Sequence, residues 1–289
     1  MKKINTVRFL LLAGFLAACT TREIPSGNDY RLFKSTPIWE LAQAVEEQNV
    51  ESVRSLVIDR KLDLNYREPQ FGSTLLMLTI LNNQPASFKT LLELGADVNI
   101  RDSFDGSSAI ILAADAESGN EEMFILSLLE KGADANDVER GPRKEGNRTR
   151  LTPLLAACQD VHDNSKTMRK VELLVDAGAD VKYENEFGTT PLKVAATFDH
   201  YDVVLYLLEK GADMNTVFTD YNGKNKYMWD ELRVTLYPLN SLKHKEKMKV
   251  IKYLSNHGID YGSIPVPDDV VEQAKKRYPN NWKEYLEKY

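Results

Sequence analysis

Apolar residues recur along this chain in short helical runs, and each run closes on a similar polar phrase. Val203-Val204-Leu205-Tyr206-Leu207-Leu208 is one such run, followed by Lys210-Gly211-Ala212-Asp213-Met214-Asn215. The phrase returns as Leu94-Gly95-Ala96-Asp97-Val98-Asn99, Lys131-Gly132-Ala133-Asp134-Ala135-Asn136 and Ala177-Gly178-Ala179-Asp180-Val181-Lys182. Weaker copies are His257-Gly258-Ile259-Asp260 and Lys61-Leu62-Asp63-Leu64-Asn65, the second without the glycine. A glycine in this place can take the left-handed conformation that ends a helix and turns the chain. The aspartate of every copy is explained by local turn and capping chemistry.

A second phrase precedes the helical runs. Phe187-Gly188-Thr189-Thr190-Pro191-Leu192 is its best copy, and Thr152-Pro153-Leu154, Gly106-Ser107-Ser108-Ala109-Ile110 and Gly72-Ser73-Thr74-Leu75-Leu76 are degraded ones. Thr or Ser there can cap a helix, and proline in the first turn loses no needed donor. Small residues follow as Ala113-Ala114, Ala156-Ala157 and Ala195-Ala196, which lets neighbouring helices approach closely. From Gly188 to Gly211 is 23 residues, and Gly72 to Gly95 is the same. The two phrases at this spacing resemble the ankyrin repeat: hairpin, inner helix, outer helix, next hairpin. The resemblance implies an all-α ankyrin-repeat solenoid, of five to six irregular repeats over 36–262. One unit alone cannot bury its apolar face, whereas stacked units share a continuous core.

The departures from the repeat are informative. Glycines 95, 132, 178, 211 and 258 are 37, 46, 33 and 47 residues apart, against a family period of about 33. Extra residues fall around Asp115–Asn120, in the hairpin Val138–Arg150, near Asp160–Lys166 and between Gly223 and Gly258. Insertions of this kind belong on loops, which function often uses. The tail, 263–289, is not a repeat. Ile264-Pro265-Val266-Pro267 is extended, and Trp282, Tyr285 and Tyr289 recur at roughly helical spacing. It reads as a C-terminal helical cap over the last repeat, or, more sharply, as an aromatic binding stripe.

The N-terminus addresses compartment. Lys2, Lys3 and Arg8 precede the apolar run Phe9–Leu16, too short for a span but suited to a secretory signal over 1–18. Leu16-Ala17-Ala18-Cys19 resembles the bacterial lipobox. The resemblance implies lipidation at Cys19, a polar tether over 19–35, and a protein anchored to the envelope facing the periplasm, with Thr20 favouring the outer membrane. The alternative is a non-lipidated signal peptide. Removing 1–18 takes away three basic groups and no acid, so the formal charge moves from −6 to −9. An acidic body argues against nucleic acid and against a surface that hugs anionic lipid. With Cys19 acylated, Cys158 is the one remaining thiol and no internal disulfide can form.

A search for catalytic chemistry is negative. His162, His200, His244 and His257 are scattered with no carboxylate or thiol at ligand spacing. There is no Gly-x-Ser-x-Gly elbow, phosphate-cradling glycine loop or Cys-x-x-Cys. Cys158 sits where the repeat family places a small inner-helix residue, so it reads as a buried filler. These residues imply no catalytic role, metal or cofactor.

Ankyrin stacks present a concave face of hairpin tips and inner helices, and the family uses it for protein binding. Here Phe71 and Phe187 stand immediately before a hairpin glycine, while Phe104 and Tyr221 stand two before Gly106 and Gly223. With Arg101 and Glu184 among the neighbouring charges, they resemble the anchors and rim of an interface. The bland alternative is that each ring packs on the next hairpin and stiffens the stack. The Val138–Arg150 insertion adds Arg140, Arg143, Lys144, Arg148 and Arg150 against Glu139 and Glu145. It reads either as a solvated loop or as an arm that orders on an acidic patch. An ankyrin stack behind a lipobox resembles periplasmic immunity lipoproteins of type VI secretion phospholipase effectors. That resemblance implies a monomer that binds a co-encoded lipase and blocks it sterically. An envelope scaffold or stress-protection lipoprotein binding a resident periplasmic protein is the alternative.

Overall fold

A computed structural model describes residues 26–142, 150–159, 164–219 and 223–289. Within them, helices come in antiparallel pairs along the chain. The pairs are α1 (Trp39–Glu46) with α2 (Val50–Ile58), α3 (Leu75–Leu81) with α4 (Pro85–Glu93), and α5 (Ala109–Asp115) with α6 (Glu121–Glu130). They continue as α7 (Pro153–Ala157) with α8 (Asn164–Asp176), and α9 (Pro191–Thr197) with α10 (Tyr201–Glu209). A two-stranded hairpin, β1 (Val217–Thr219) and β2 (Asn225–Tyr227), then leads into α11 (Met228–Glu231) and α12 (Leu242–Asn256). Two further helices, α13 (Asp268–Arg277) and α14 (Trp282–Glu287), close the chain.

The inner helices start and stop where local chemistry directs. The hydroxyls of Thr74, Thr152 and Thr190 accept from the amides of Met77, Leu155 and Lys193, satisfying donors that the first turn leaves open. Pro153 and Pro191 open α7 and α9 at positions that need no donor. The outer helices end on Gly95, Gly132, Gly178, Gly211 and Gly258, all at φ near +90°. After the first four of these glycines the aspartate accepts from the amide two residues on, as in Asn99 N to Asp97 Oδ1 and Asn136 N to Asp134 Oδ1, both near 2.8–2.9 Å. The asparagine that follows then reaches into the next repeat. Asn136 Nδ2 donates to the Gly178 carbonyl at 2.8 Å, and Asn136 Oδ1 accepts from Asp180 N at 2.7 Å.

One apolar core runs from Tyr30 to Tyr261. Ala113, Ala114, Ala156, Ala157, Ala195 and Ala196 are buried where inner helices touch, and Phe88 and Phe124 meet edge to face at 4.6 Å between outer helices. Lys170 of α8 is also buried. Its ammonium donates to the Ala114 and Ala116 carbonyls at 2.9 and 3.3 Å, which satisfies the open end of α5.

The tether expected over 19–35 is shorter than the sequence suggested. Asp29 caps a 3-10 turn, Tyr30–Phe33, and both Tyr30 and Phe33 are buried against the first repeats. The Tyr30 hydroxyl donates to the Gln84 side chain, 54 residues away. Burying two aromatic side chains contributes roughly 1.5–3 kcal/mol each, enough to offset ordering so short a turn. Residues 30–35 therefore belong to the folded body. Cys19 lies outside the described residues.

The tail packs inward. Tyr285 and Tyr289 are buried with Leu236, Val270 and Ala274, and the rings of Tyr278, Tyr285 and Tyr289 stack in series at 4.2 and 5.7 Å. That leaves little ring surface for the stripe reading. At this junction two basic side chains are buried. Arg233 lies over the Tyr261 ring at 3.8 Å and donates to the Tyr261 carbonyl, while Lys247 lies 3.2 Å from the Tyr289 ring centroid and 3.4 Å from the Thr235 carbonyl.

Candidate functional site

Among the described residues, backbone bonds join the first three hairpin tips in a row. Ser103 N donates to the Phe71 carbonyl at 2.6 Å, and Gly141 N to the Asp105 carbonyl at 2.8 Å. Further along, the Tyr183 hydroxyl donates to the Arg150 carbonyl at 3.2 Å. Three of the tips are also pinned from within by one acidic or amide side chain. Buried Glu68 accepts from the amides of Gln70, Phe71 and Ser73 at 2.6, 2.7 and 3.1 Å. Asp102 Oδ1 does the same for Phe104, Asp105 and Gly106, and Asn185 Oδ1 for Phe187 and Thr189. Glu139, also buried, bridges tips: it accepts from Ser107 Oγ at 2.9 Å and Leu151 N at 3.0 Å. Such carboxylate–amide bonds are charge-assisted and fix the loops without a partner present.

Sequence reasoning missed these pins. Their signal was available: Glu68 and Asp102 each stand four residues before a tip glycine, and Asn185 three before one. A composition scan reads them as surface polar groups, because only the folded loop turns two or three amides onto one side chain.

The expected partner-binding residues divide into groups. Phe71 and Phe104 meet edge to face at 5.8 Å, so neighbouring tips do stiffen each other there. Phe71 is half-buried by this contact, whereas Phe104 remains 47% exposed. Phe187 is 51% exposed at the fourth tip, beside exposed Glu184. Arg101 pairs with buried Asp137, which gives it a place in the framework as well as on the rim. Arg140 is exposed, and its backbone amide reaches the Gly106 carbonyl at 3.4 Å. Arg143, Lys144 and Tyr221 lie outside the described residues.

The structure thus brings Phe71, Arg101, Phe104 and Arg140 together across three tips. Glu184 and Phe187 stand on the next tip, one repeat beyond Arg140. Around the fifth and sixth repeats further apolar side chains are exposed that the sequence did not single out: Phe198, Val217, Val234 and Tyr227, the last stacked on Trp229 at 4.4 Å. Between them Lys193 and Glu231 are partly buried. Burial pushes the Lys193 ammonium below its ordinary range and raises the Glu231 carboxyl, while each group's charge acts against the other's shift.

The remaining polar candidates are accounted for by packing. His200 is buried, His244 lies against the Asn240 amide and the Lys288 carbonyl, and His257 stacks on Tyr253 at 4.1 Å. His162 is outside the described residues. Cys158 is fully buried, and burial pushes its thiol up to about 12 against a smaller opposing effect of Lys170. It fills space in the core, and burial disfavours its thiolate. Among the described residues no group of three His, Cys, Asp or Glu side chains could hold a metal ion, and no helix is long and apolar enough to cross a membrane.

A row of pinned hairpin tips over paired helices is the architecture of an ankyrin stack. The family model for ankyrin repeats matches residues 41–139 and 138–217, more than half of the chain, and the chain belongs to the ankyrin-repeat family. Ankyrin repeats generally mediate protein–protein interaction. Similar proteins include the ankyrin repeat and KH domain-containing protein CBG24701 of Caenorhabditis briggsae, 31% identical over 63% of this chain but only 6% of its own length. Protein PhlB of Serratia liquefaciens is 30% identical over 61% of this chain and 69% of its own length. Human ankyrin repeat and SOCS box protein 6 is 34% identical over 44% of this chain and 28% of its own length. The chain therefore spans under a third of the C. briggsae and human proteins. Among solved structures, the ankyrin repeat protein EF0377 superposes with a TM-score of 0.53 at 20% identity, over 76% of this chain and 98% of its own. That likeness concerns the fold.

Proposed function

We propose that this chain is an envelope lipoprotein that binds a toxic phospholipase and neutralises it by steric blockade, as an immunity protein of a type VI secretion system. The observation that carries the binding part is the row of tips, pinned internally by Glu68, Asp102 and Asn185, with Phe104 and Phe187 left about half exposed. A loop row fixed before binding loses little freedom when a partner docks, so exposed rings on it can serve as anchors. The lipobox-like Leu16-Ala17-Ala18-Cys19 supports the envelope part. A lipid at Cys19 would hold the inhibitor at the membrane surface where a lipase must act, raising its effective concentration there. The resemblance of an ankyrin stack behind a lipobox to periplasmic immunity lipoproteins supports the choice of target.

The test mixes the purified protein with the product of the adjacent reading frame. A one-to-one complex that abolishes lipase activity is expected. If the neighbour neither binds nor loses activity, the immunity reading fails, and an envelope scaffold for a resident protein takes its place. Replacing Phe104 and Phe187 with Ala should weaken the complex at least tenfold while leaving helical content intact. Cys19→Ala should release the protein from membranes without changing its binding in solution.

A further inference from the structure

We infer that Arg67, Arg101 and Arg140, supplied by three successive hairpin tips, form a socket for a carboxylate, so that the bound protein inserts an Asp- or Glu-bearing loop between the tips. This rests on the protein-binding reading of the tip row and adds the chemistry that the partner must present.

The three arginines line one cavity of about 440 Å³, together with Asp102, Ser103 and Gly106. The walls are rigid. A Cβ on Gly106 would meet the Gly141 nitrogen at 2.2 Å, so the second and third tips approach as closely as glycine allows. Arg67 is held across the cavity: its Nη2 donates to Ser103 Oγ at 2.7 Å and its Nε to the Gly72 carbonyl at 3.1 Å. Arg101 spends one nitrogen on Asp137, but its Nε is buried with no hydrogen-bond partner. The Arg140 side chain is exposed at the mouth.

The neighbouring carboxylates are held by other groups. Asp102 Oδ1 already accepts from three amides, Asp137 holds Arg101, and both oxygens of Glu139 are committed to Ser107 and Leu151. Among the described residues, Arg67 and Arg140, which line the cavity, are in no ion pair with a carboxylate, in a protein whose net charge is −6. Guanidinium groups bind carboxylates through paired, planar hydrogen bonds that an ammonium cannot offer. Phe104 stands beside the cavity, half exposed and propped by Phe71, which puts an apolar anchor next to the charged one. That pairing suits a protein loop, because a membrane headgroup would bring anionic neighbours against an acidic body.

The experiment uses the whole protein and two probes. The first is a peptide bearing Glu-Phe-Glu, compared with its Gln-Phe-Gln counterpart and with phosphatidylglycerol vesicles. The second is the product of the adjacent reading frame. Wild type should bind the Glu peptide at least tenfold more tightly than the Gln peptide, more weakly as salt rises from 50 to 300 mM. Arg140→Glu and Arg67→Glu/Arg140→Glu should each lose that preference with circular dichroism unchanged. Equal binding of the two peptides, an unaffected double variant, or vesicle binding that exceeds peptide binding overturns the socket. A neighbour complex that forms but ignores the arginine variants also overturns it and leaves the immunity reading standing. Failure of the neighbour to bind removes that reading, while the peptide result still decides the socket.

Discussion

Lys247 makes the folded chain's stability depend on pH in a way that one substitution should abolish. Its side chain is fully buried in α12, against the Tyr289 ring and the Thr235 carbonyl. Burial lowers its ammonium from 10.5 to about 6, the charge of Arg233 adds to this, and Asp199 opposes it. The folded pKa is thus below the unfolded one. Between about pH 6 and 10.5 the unfolded chain holds a proton that the folded chain lacks, so stability rises with pH through that window. One proton corresponds to a slope of up to about 1.4 kcal/mol per pH unit, or about 2.7 kcal/mol from pH 7 to 9. Below pH 6 both states carry the proton and this dependence ends. Lys247→Met keeps the length and removes the charge. Urea unfolding followed by circular dichroism at pH 6, 7, 8 and 9 should show the variant more stable at pH 7. Its advantage should shrink toward pH 9 by roughly that amount. The difference between the two proteins cancels other titrating groups that they share. Equal slopes, or a variant less stable throughout, would mean that Lys247 stays charged in the fold, held by the ring and the carbonyl, and the reasoning would be wrong.

Other perturbations follow from the tips and the core. Gly106→Ala places a side chain at φ +70° and 2.2 Å from the Gly141 nitrogen, so it should cost about 3 kcal/mol or more; Gly95→Ala, at φ +92° in open space, should cost only about 1–2. Denaturant midpoints measure both, and equal costs would count against close tip packing. Glu68→Ala leaves three tip amides unpaired and should destabilise by roughly 2–3 kcal/mol in the same assay, with a value near zero contradicting the pin. Cys158, buried with its thiol at about 12, should resist maleimide at pH 8 in the native protein and react only after unfolding.

Much of the repeat architecture was legible because its signals are local. A threonine cap, a proline in the first turn and a glycine at the last turn each act within a few residues, and the Gly-Ala-Asp phrase repeats them. What was illegible depends on distant partners. Tyr30 and Phe33 sit in a polar stretch that reads as tether, and only the Gln84 side chain and the first repeats make them core. Lys170, Lys247 and Arg233 look like surface charge until carbonyls from other elements surround them. The tip aromatics were legible as special but not as a set. Phe71 and Phe104 are 33 positions apart, and their contact depends on how one tip stacks on the next. The same dependence hid the arginine socket, whose members come from three different repeats.

The central claim is that the hairpin tips are the binding face. Hydrogen–deuterium exchange of the complex with the neighbouring gene's product tests it most directly. The account predicts new protection over 67–73, 101–108 and 183–189, with α4, α6 and α10 unchanged. Protection confined to those outer helices, with the tips unaffected, would contradict it.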